Sequence, residues 1–307
     1  MEASASPPAG GRLGVWGHLD SLPIDAARDY ARRVEELGYG ALWVPETVGR
    51  EPFTLLALLG GATRSLRLGT SIVSIWGRDP QATRMAALTL QEATGGRFLL
   101  GLGVSHAHLA EKLRGHRYER PLRHMREYLA GYRRAVWKGP PGVDGQPPDP
   151  PLLLAALRER MARLAGSEAD GAFPYLVTPQ RVGWMRAVLD GAAAATGRSR
   201  PWLAVTLPVV LAATPDGARE AARAYLAPYL RTPNYQASWS AQGFGAHDWE
   251  RPGSDRLVDE MVAVGDAELA HARAAALLAA GADHVAVIPL APDGTTENLE
   301  TLIALAR

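Results

Sequence analysis

One glutamate, one histidine and a few glycines and large aromatic residues stand in this chain where short apolar runs end. Glu46 follows Ala41-Leu42-Trp43-Val44 and Pro45. A carboxylate there can take or give a proton, or hold a ligand hydroxyl; the plainer alternative is an ion pair with Arg50. In Gly101-Leu102-Gly103-Val104-Ser105-His106, glycines that let backbone approach a planar ligand precede an imidazole able to titrate near neutral pH. The plainer alternative is a glycine bend with a histidine bonded to backbone. Trp16, Trp76 and Tyr175 stand near other run ends and could wall a flat ligand, whereas Trp43 lies inside a run and reads as packing. His106 and His108 could pair on a metal, but Glu111 is the only other donor close by, so an acid–base or hydrogen-bonding role is expected and no metal is.

Other chemistries lack their parts. The chain has no H-E-x-x-H, no G-x-S-x-G and no G-x-x-x-x-G-K-[ST]. With no cysteine, disulfides, thiolate metal sites and cysteine nucleophiles are excluded. Lys112 and Lys138 are the only lysines and neither ends an apolar run, which argues against a lyase or isomerase built on a lysine.

These residues need a scaffold, and the periodicity supplies one. Apolar runs at 13–16, 41–44, 66–72, 97–101, 152–156, 171–175, 202–211 and 284–288 read as strands. Between them lie segments of helical period, at 24–37, 53–64, 80–93, 108–137, 158–166, 178–195, 214–230 and 266–280, with a last helix at 296–307. Asp79-Pro80 is a helix start, with a capping carboxylate and proline in the first turn. Eight strands each followed by a helix imply an α/β fold, a closed parallel (β/α)8 TIM barrel. An open doubly wound sheet would want a glycine-rich turn after its first strand, and Gly17-His18-Leu19-Asp20 is not one. In a barrel the active site lies at the C-terminal strand ends, where the residues above fall. The segment 232–254 shows no clear period and holds Trp239, Phe244 and Trp249, so it is expected to be a lid or binding loop.

A barrel accommodates 307 residues as one domain, expected over 12–307 behind a disordered lead at 1–11, with a Pro/Gly-rich linker at 139–151. A net charge of +1 gives no general grip on nucleic acid. The start has no signal-peptide character, and the longest apolar run, Trp202 to Ala213, is too short to cross a bilayer. A cytoplasmic protein without membrane contact is expected.

Four segments together resemble the luciferase-like monooxygenase superfamily, and within it the coenzyme F420-dependent oxidoreductases. They are Gly40-Ala-Leu-Trp-Val-Pro-Glu46, Leu68-Gly-Thr-Ser-Ile72, Gly96-Arg-Phe-Leu-Leu-Gly-Leu-Gly-Val-Ser-His106 and Gly281-Ala-Asp-His-Val285. The resemblance runs from about Arg12 to the C-terminus. It implies a homodimer, a small-molecule substrate and a deazaflavin ring across the barrel mouth. It also implies a bulge after strand three, often with a non-prolyl cis peptide, that backs the ring at Ser71-Ile72. Glu46 would touch the ring; Gly103, Val104 and Ser105 would line it, and His106 would stand where some relatives place a proton-donating glutamate. Ala155 and Ala156 match small residues that cradle the cofactor phosphate. Arg158 and Arg160 flank the place of a family glycine; they either bind phosphate or an acidic tail by charge, or mark its loss. The reaction implied is hydride exchange between coenzyme F420 and a small organic substrate, with His106 or Glu46 moving the proton. Two alternatives are an FMN monooxygenase served by a separate reductase, and a non-catalytic barrel that binds a ligand or a partner subunit.

Overall fold

The computed structural model describes residues 11–140, 149–212, 215–291, 293 and 295–306. Strands and helices alternate along it: β1 (Leu13–Trp16), α1 (Ile24–Glu36), β2 (Ala41–Val44), α2 (Pro52–Gly60), β3 (Arg67–Thr70), β4 (Val73–Ser74), α3 (Pro80–Ala93), β5 (Phe98–Gly103), α4 (Pro121–Arg134), β6 (Leu152–Leu154) and α5 (Glu159–Glu168). Then come β7 (Gly171–Ala172), α6 (Pro179–Ala195), β8 (Trp202–Leu211), α7 (Pro215–Leu226), α8 (Pro233–Ser240), α9 (Ala246–Trp249), α10 (Asp255–Met261), β9 (Ala263–Gly265), α11 (Ala267–Ala279), β10 (His284–Pro289) and α12 (Leu299–Leu305). The expected lead at 1–11 lies almost wholly outside the described residues, as does most of the 139–151 linker.

All pairings are parallel, and β10 bonds to both β1 and β8, so the sheet closes. β3 and β4 are two halves of one stave. Leu68 and Gly69 pair with the start of β5, Val73 and Ser74 with its end, and the break between them holds Ser71 and Ile72. The chain therefore has eight staves and forms the closed parallel TIM barrel read from its periodicity.

Side chains alternate across each stave, which fixes two cores. Trp43, Leu99, Leu153, Phe173, Trp202, Ala204 and Ala286 share one cluster, inside the barrel. Their chain neighbours Leu42, Val44, Leu100, Leu154, Leu203, Val205, Val285 and Val287 share the other, against the surrounding helices. Trp43 fits because Gly69 has no side chain; a Cβ there would lie 2.2 Å from Trp43 Cε3. Its Nε1–H donates to His284 Nε2 at 3.1 Å, and His284 Nδ1 meets the Gly11 carbonyl at 3.2 Å.

The 232–254 segment is not the irregular loop expected. It contains α8 and α9, and its own Trp239 and Phe244 are buried. Two further elements, α10 and β9, lie between this segment and α11; β9 extends the sheet beside the end of β8. None of the described helices is long and apolar enough to cross a membrane.

Candidate functional site

The broken stave organises the mouth. The Ser71–Ile72 peptide is cis, as the resemblance implied. Trp16 Nε1 donates to the Ser71 carbonyl at 3.1 Å, and the Glu46 amide donates to the Ile72 carbonyl at 3.1 Å. The Ile72 side chain packs against Gly101 and Gly103 at the end of β5. A Cβ on Gly103 would fall 2.4 Å from Ile72 Cδ1 and 3.2 Å from Ala155 Cβ, so residues from three staves meet there only because position 103 is glycine. Gly101 is similarly pressed, its hypothetical Cβ 2.1 Å from the Thr70 carbonyl oxygen. Ile72, Gly103 and Ala155 thus share one surface, with Ser71 joined to Ile72 by the cis peptide. Ala156 turns the other way, into the outer core.

Glu46 is committed to neighbours. One carboxylate oxygen accepts from the Ser74 amide at 2.6 Å, and the other meets Arg114 at 3.1 Å and Arg78 at 3.4 Å. Its side chain is only 8% exposed, so it works as a clamp on the second half of the broken stave. Its cationic partners are therefore not Arg50. That side chain reaches the Leu19 and Leu22 carbonyls, and its amide bonds Asp20.

After β5 the backbone turns through Ser105 with φ +53°, and Leu19 (+55°) and Leu176 (+54°) do the same after β1 and β7. Non-glycine residues held this way are costly and persist where the surroundings enforce them, commonly at functional sites. The turn delivers His106 with its Nδ1 buried and without a partner. Burial, reinforced by His108, pushes its pKa down to about 4. The ring is thus neutral at pH 7, with one donor and one acceptor nitrogen, rather than the imidazole titrating near neutrality read from sequence. Among the described residues, no group of three metal-ligating side chains is gathered.

His106 faces Tyr235 of α8 at 5.6 Å between ring centroids, and Trp16 faces Tyr175 at 5.8 Å. Tyr175 also meets Tyr229 and Tyr235, at 5.5 and 6.1 Å. Trp76 stands elsewhere. It stacks on His124 of α4 at 4.1 Å, bonds the Val104 carbonyl through Nε1, and packs in the outer core. Arg158 and Arg160 are exposed where α5 begins. Arg158 reaches Asn234 of α8 at 3.3 Å, and Arg181 of α6 bonds the preceding carbonyl, that of Leu157, at 2.8 Å. Sequence reasoning missed Tyr225, Tyr229, Tyr235, Arg78 and Arg114. Tyr225 and Tyr229 are four residues apart on what reads as a helix face, but nothing in that spacing shows that the face looks into the barrel mouth.

The sequence profile of the luciferase-like monooxygenase family matches residues 9–284. A Mycobacterium tuberculosis protein provisionally named a coenzyme F420-dependent oxidoreductase is 30% identical over 281 residues, covering 81% of this chain and 79% of that one. An F420-dependent secondary alcohol dehydrogenase, solved with an F420–acetone adduct, superposes over 97% of both chains with a TM-score of 0.78 at 16% identity. The oxygenating component of a Pseudomonas putida diketocamphane monooxygenase, solved with FMN, superposes over 95% of this chain and 96% of its own, with a TM-score of 0.71 at 18% identity.

Proposed function

Because the chain belongs to the luciferase-like monooxygenase family, we propose that it is an oxidoreductase exchanging a hydride between coenzyme F420 and a small organic substrate. The observation that carries this reading is the surface made by Ser71, Ile72, Gly103 and Ala155. It is a wall of small residues and one isoleucine at the C-terminal strand ends, against which a planar ring system could lie. The unpartnered Nδ1 of His106 at the rim suits a polar atom of such a ring or of a substrate. The residues present therefore fit a deazaflavin. When bound, it would supply a ring carbon that gives or takes a hydride.

The rest falls to the chain's own groups. Ile72 backs the ring, and Glu46 fixes the backbone that carries Ile72, through the Ser74 amide and its own amide. The start of α5 offers free backbone N–H groups, with Arg158 and Arg160 beside them, for a phosphate or an acidic tail. His106, neutral, hydrogen-bonds at the reacting side. We also propose a homodimer.

Fluorescence titration of the purified protein with F420 and, separately, with FMN tests the reading. Saturable quenching by F420, and its loss in Gly103→Val, is the expected result. The side chain at 103 would collide with Ile72 and tilt it into the ring's place. Binding of FMN without F420 would move the protein to the flavin monooxygenases, and binding of neither would end the proposal.

A further inference from the structure

His106 leaves the end of β5 through a backbone turn that two aromatic side chains hold from behind. Trp76, just past β4, donates from Nε1 to the Val104 carbonyl at 2.9 Å. Tyr118, just ahead of α4, donates from Oη to the Ser105 carbonyl at 3.2 Å. These two carbonyls belong to the peptide planes on either side of the Ser105 Cα. The φ and ψ of Ser105 are the rotations between those planes, so anchoring both carbonyls fixes both angles. Ser105 stands at φ +53°, which is costly for a residue with a side chain and persists only where its surroundings enforce it. The direction in which His106 departs follows from the same two angles.

The donors are themselves fixed. Trp76 stacks on His124 of α4 with ring centroids 4.1 Å apart, and its amide bonds the Ser74 hydroxyl at 3.2 Å. Its ring lies 5.7 Å from that of Tyr118, so the two donors brace each other. The Tyr118 amide bonds the Glu111 carboxylate at 3.2 Å, and burial raises its phenol above the usual value, which keeps the proton it donates. Trp76 lies in the outer core and Tyr118 packs against that core. On the other side of the turn, the His106 ring faces Tyr235 of α8 at 5.6 Å and His108 at 5.9 Å, with Nδ1 buried and unpartnered. No hydrogen bond from Nδ1 orients the imidazole, so the backbone that carries it and the packing around it must.

We propose that Trp76 and Tyr118 are positioning residues for His106: by pinning the Val104 and Ser105 carbonyls, they hold the turn that keeps the imidazole in place at the barrel mouth. Trp76, expected as a pocket wall, works from behind it. The inference rests on the oxidoreductase reading for the purpose His106 serves, but its test needs neither cofactor nor substrate.

Tyr118→Phe and Trp76→Phe each keep an aromatic ring and remove the donor. Burial, reinforced by His108, holds the His106 pKa down to about 4 in the wild type, so its ring should be largely neutral at pH 5. Released from either clamp, the ring gains water and its pKa climbs toward the ordinary value. A rise of about one unit takes the charged fraction at pH 5 from about one tenth to about one half. Imidazole nitrogen NMR shifts at pH 7 and pH 5, assigned to His106 by their loss in His106→Gln, read that fraction directly. His284, buried where β10 begins at the far end of the barrel, is the internal control and should stay as in the wild type. Either variant suffices should the other fail to fold. His106 remaining neutral at pH 5 in every variant that folds would overturn the inference. So would His284 becoming charged with it, because the whole barrel, rather than this turn, would then have loosened. If the wild type fails to bind F420 while His106 alone responds, the cofactor reading falls and this one stands.

Discussion

At the scale of single residues, the two inward-facing histidines act as neutral rings, and this has measurable consequences. His284 is 1% exposed, between Trp43 Nε1 and the Gly11 carbonyl, and burial, reinforced by Arg67 and opposed by the Gly11 bond, lowers its pKa to about 4. An unfolded histidine titrates near 6.5, so the unfolded chain binds more protons between pH 6.5 and 4. Stability is then complete above pH 6.5 and falls as pH drops toward 4, with His284 alone accounting for about 2 kcal/mol of the loss by pH 5. Urea midpoints at pH 7 and pH 5 should show this loss. His284→Gln, whose amide can still accept from Trp43 and donate to Gly11, should flatten it; an unchanged slope would remove His284 as its source. His106 shifts in the same direction but stands at the mouth with a free ring nitrogen. His106→Ala should cut turnover strongly, by about 10²-fold or more, while F420 still binds with near-native affinity. Turnover left intact would take His106 out of the chemistry. The glycine-histidine run pointed to this residue, whereas its protonation state depends on burial that no spacing reveals. Glu46 was read from its place after β2, yet its role as a clamp depends on Arg78 and Arg114, 32 and 68 positions away.

At the scale of elements, periodicity located what alternates cleanly and lost what does not. Strands at 13–16, 41–44 and 202–211 match the structure residue for residue, and the Asp79-Pro80 start holds, with Asp79 accepting from the Ala82 amide. The 232–254 stretch looked irregular because its helices are short, and the turn from α9 into α10 is organised by one buried carboxylate rather than by an apolar stripe. Asp248, 1% exposed, accepts from the Gly245 amide at 2.8 Å and the Ser254 hydroxyl at 2.7 Å, and pairs with Arg256 at 3.2 Å. Asp248→Ala leaves a buried donor unpaired and takes the carboxylate from Arg256, which keeps only the Gly243 carbonyl and the Phe244 ring. It should cost about 2–4 kcal/mol of unfolding free energy. Limited proteolysis should then cut within 241–254 before the barrel strands. Cleavage spread evenly over the chain would show that Asp248 does not organise this segment.

At the scale of the whole molecule, barrel closure follows from the alternation of strand and helix, whereas a candidate face for the proposed homodimer comes only from the pattern of exposure. α2 has no charged residue, and its exposed side is Thr54, Ala57 and Gly61. Beside it, α3 exposes Ala82, Met85 and Thr89, with Met85 half exposed, and ends in the exposed Glu92 and Ala93. Arg84, the residue before Met85, pairs with Asp149 at 2.9 Å. Small uncharged residues on two neighbouring helices let another backbone approach closely, and Met85 supplies an adaptable apolar contact. A two-fold pairing brings the same patch against itself, so one substitution acts twice. The proposed homodimer should sediment at twice the chain mass of 32.8 kDa, and Met85→Arg, which sets two like charges face to face, should shift it to monomer with the barrel's circular dichroism unchanged. A wild-type chain that sediments as a monomer at high concentration would refute the dimer, and a dimer indifferent to Met85→Arg would place its interface on another face of the barrel.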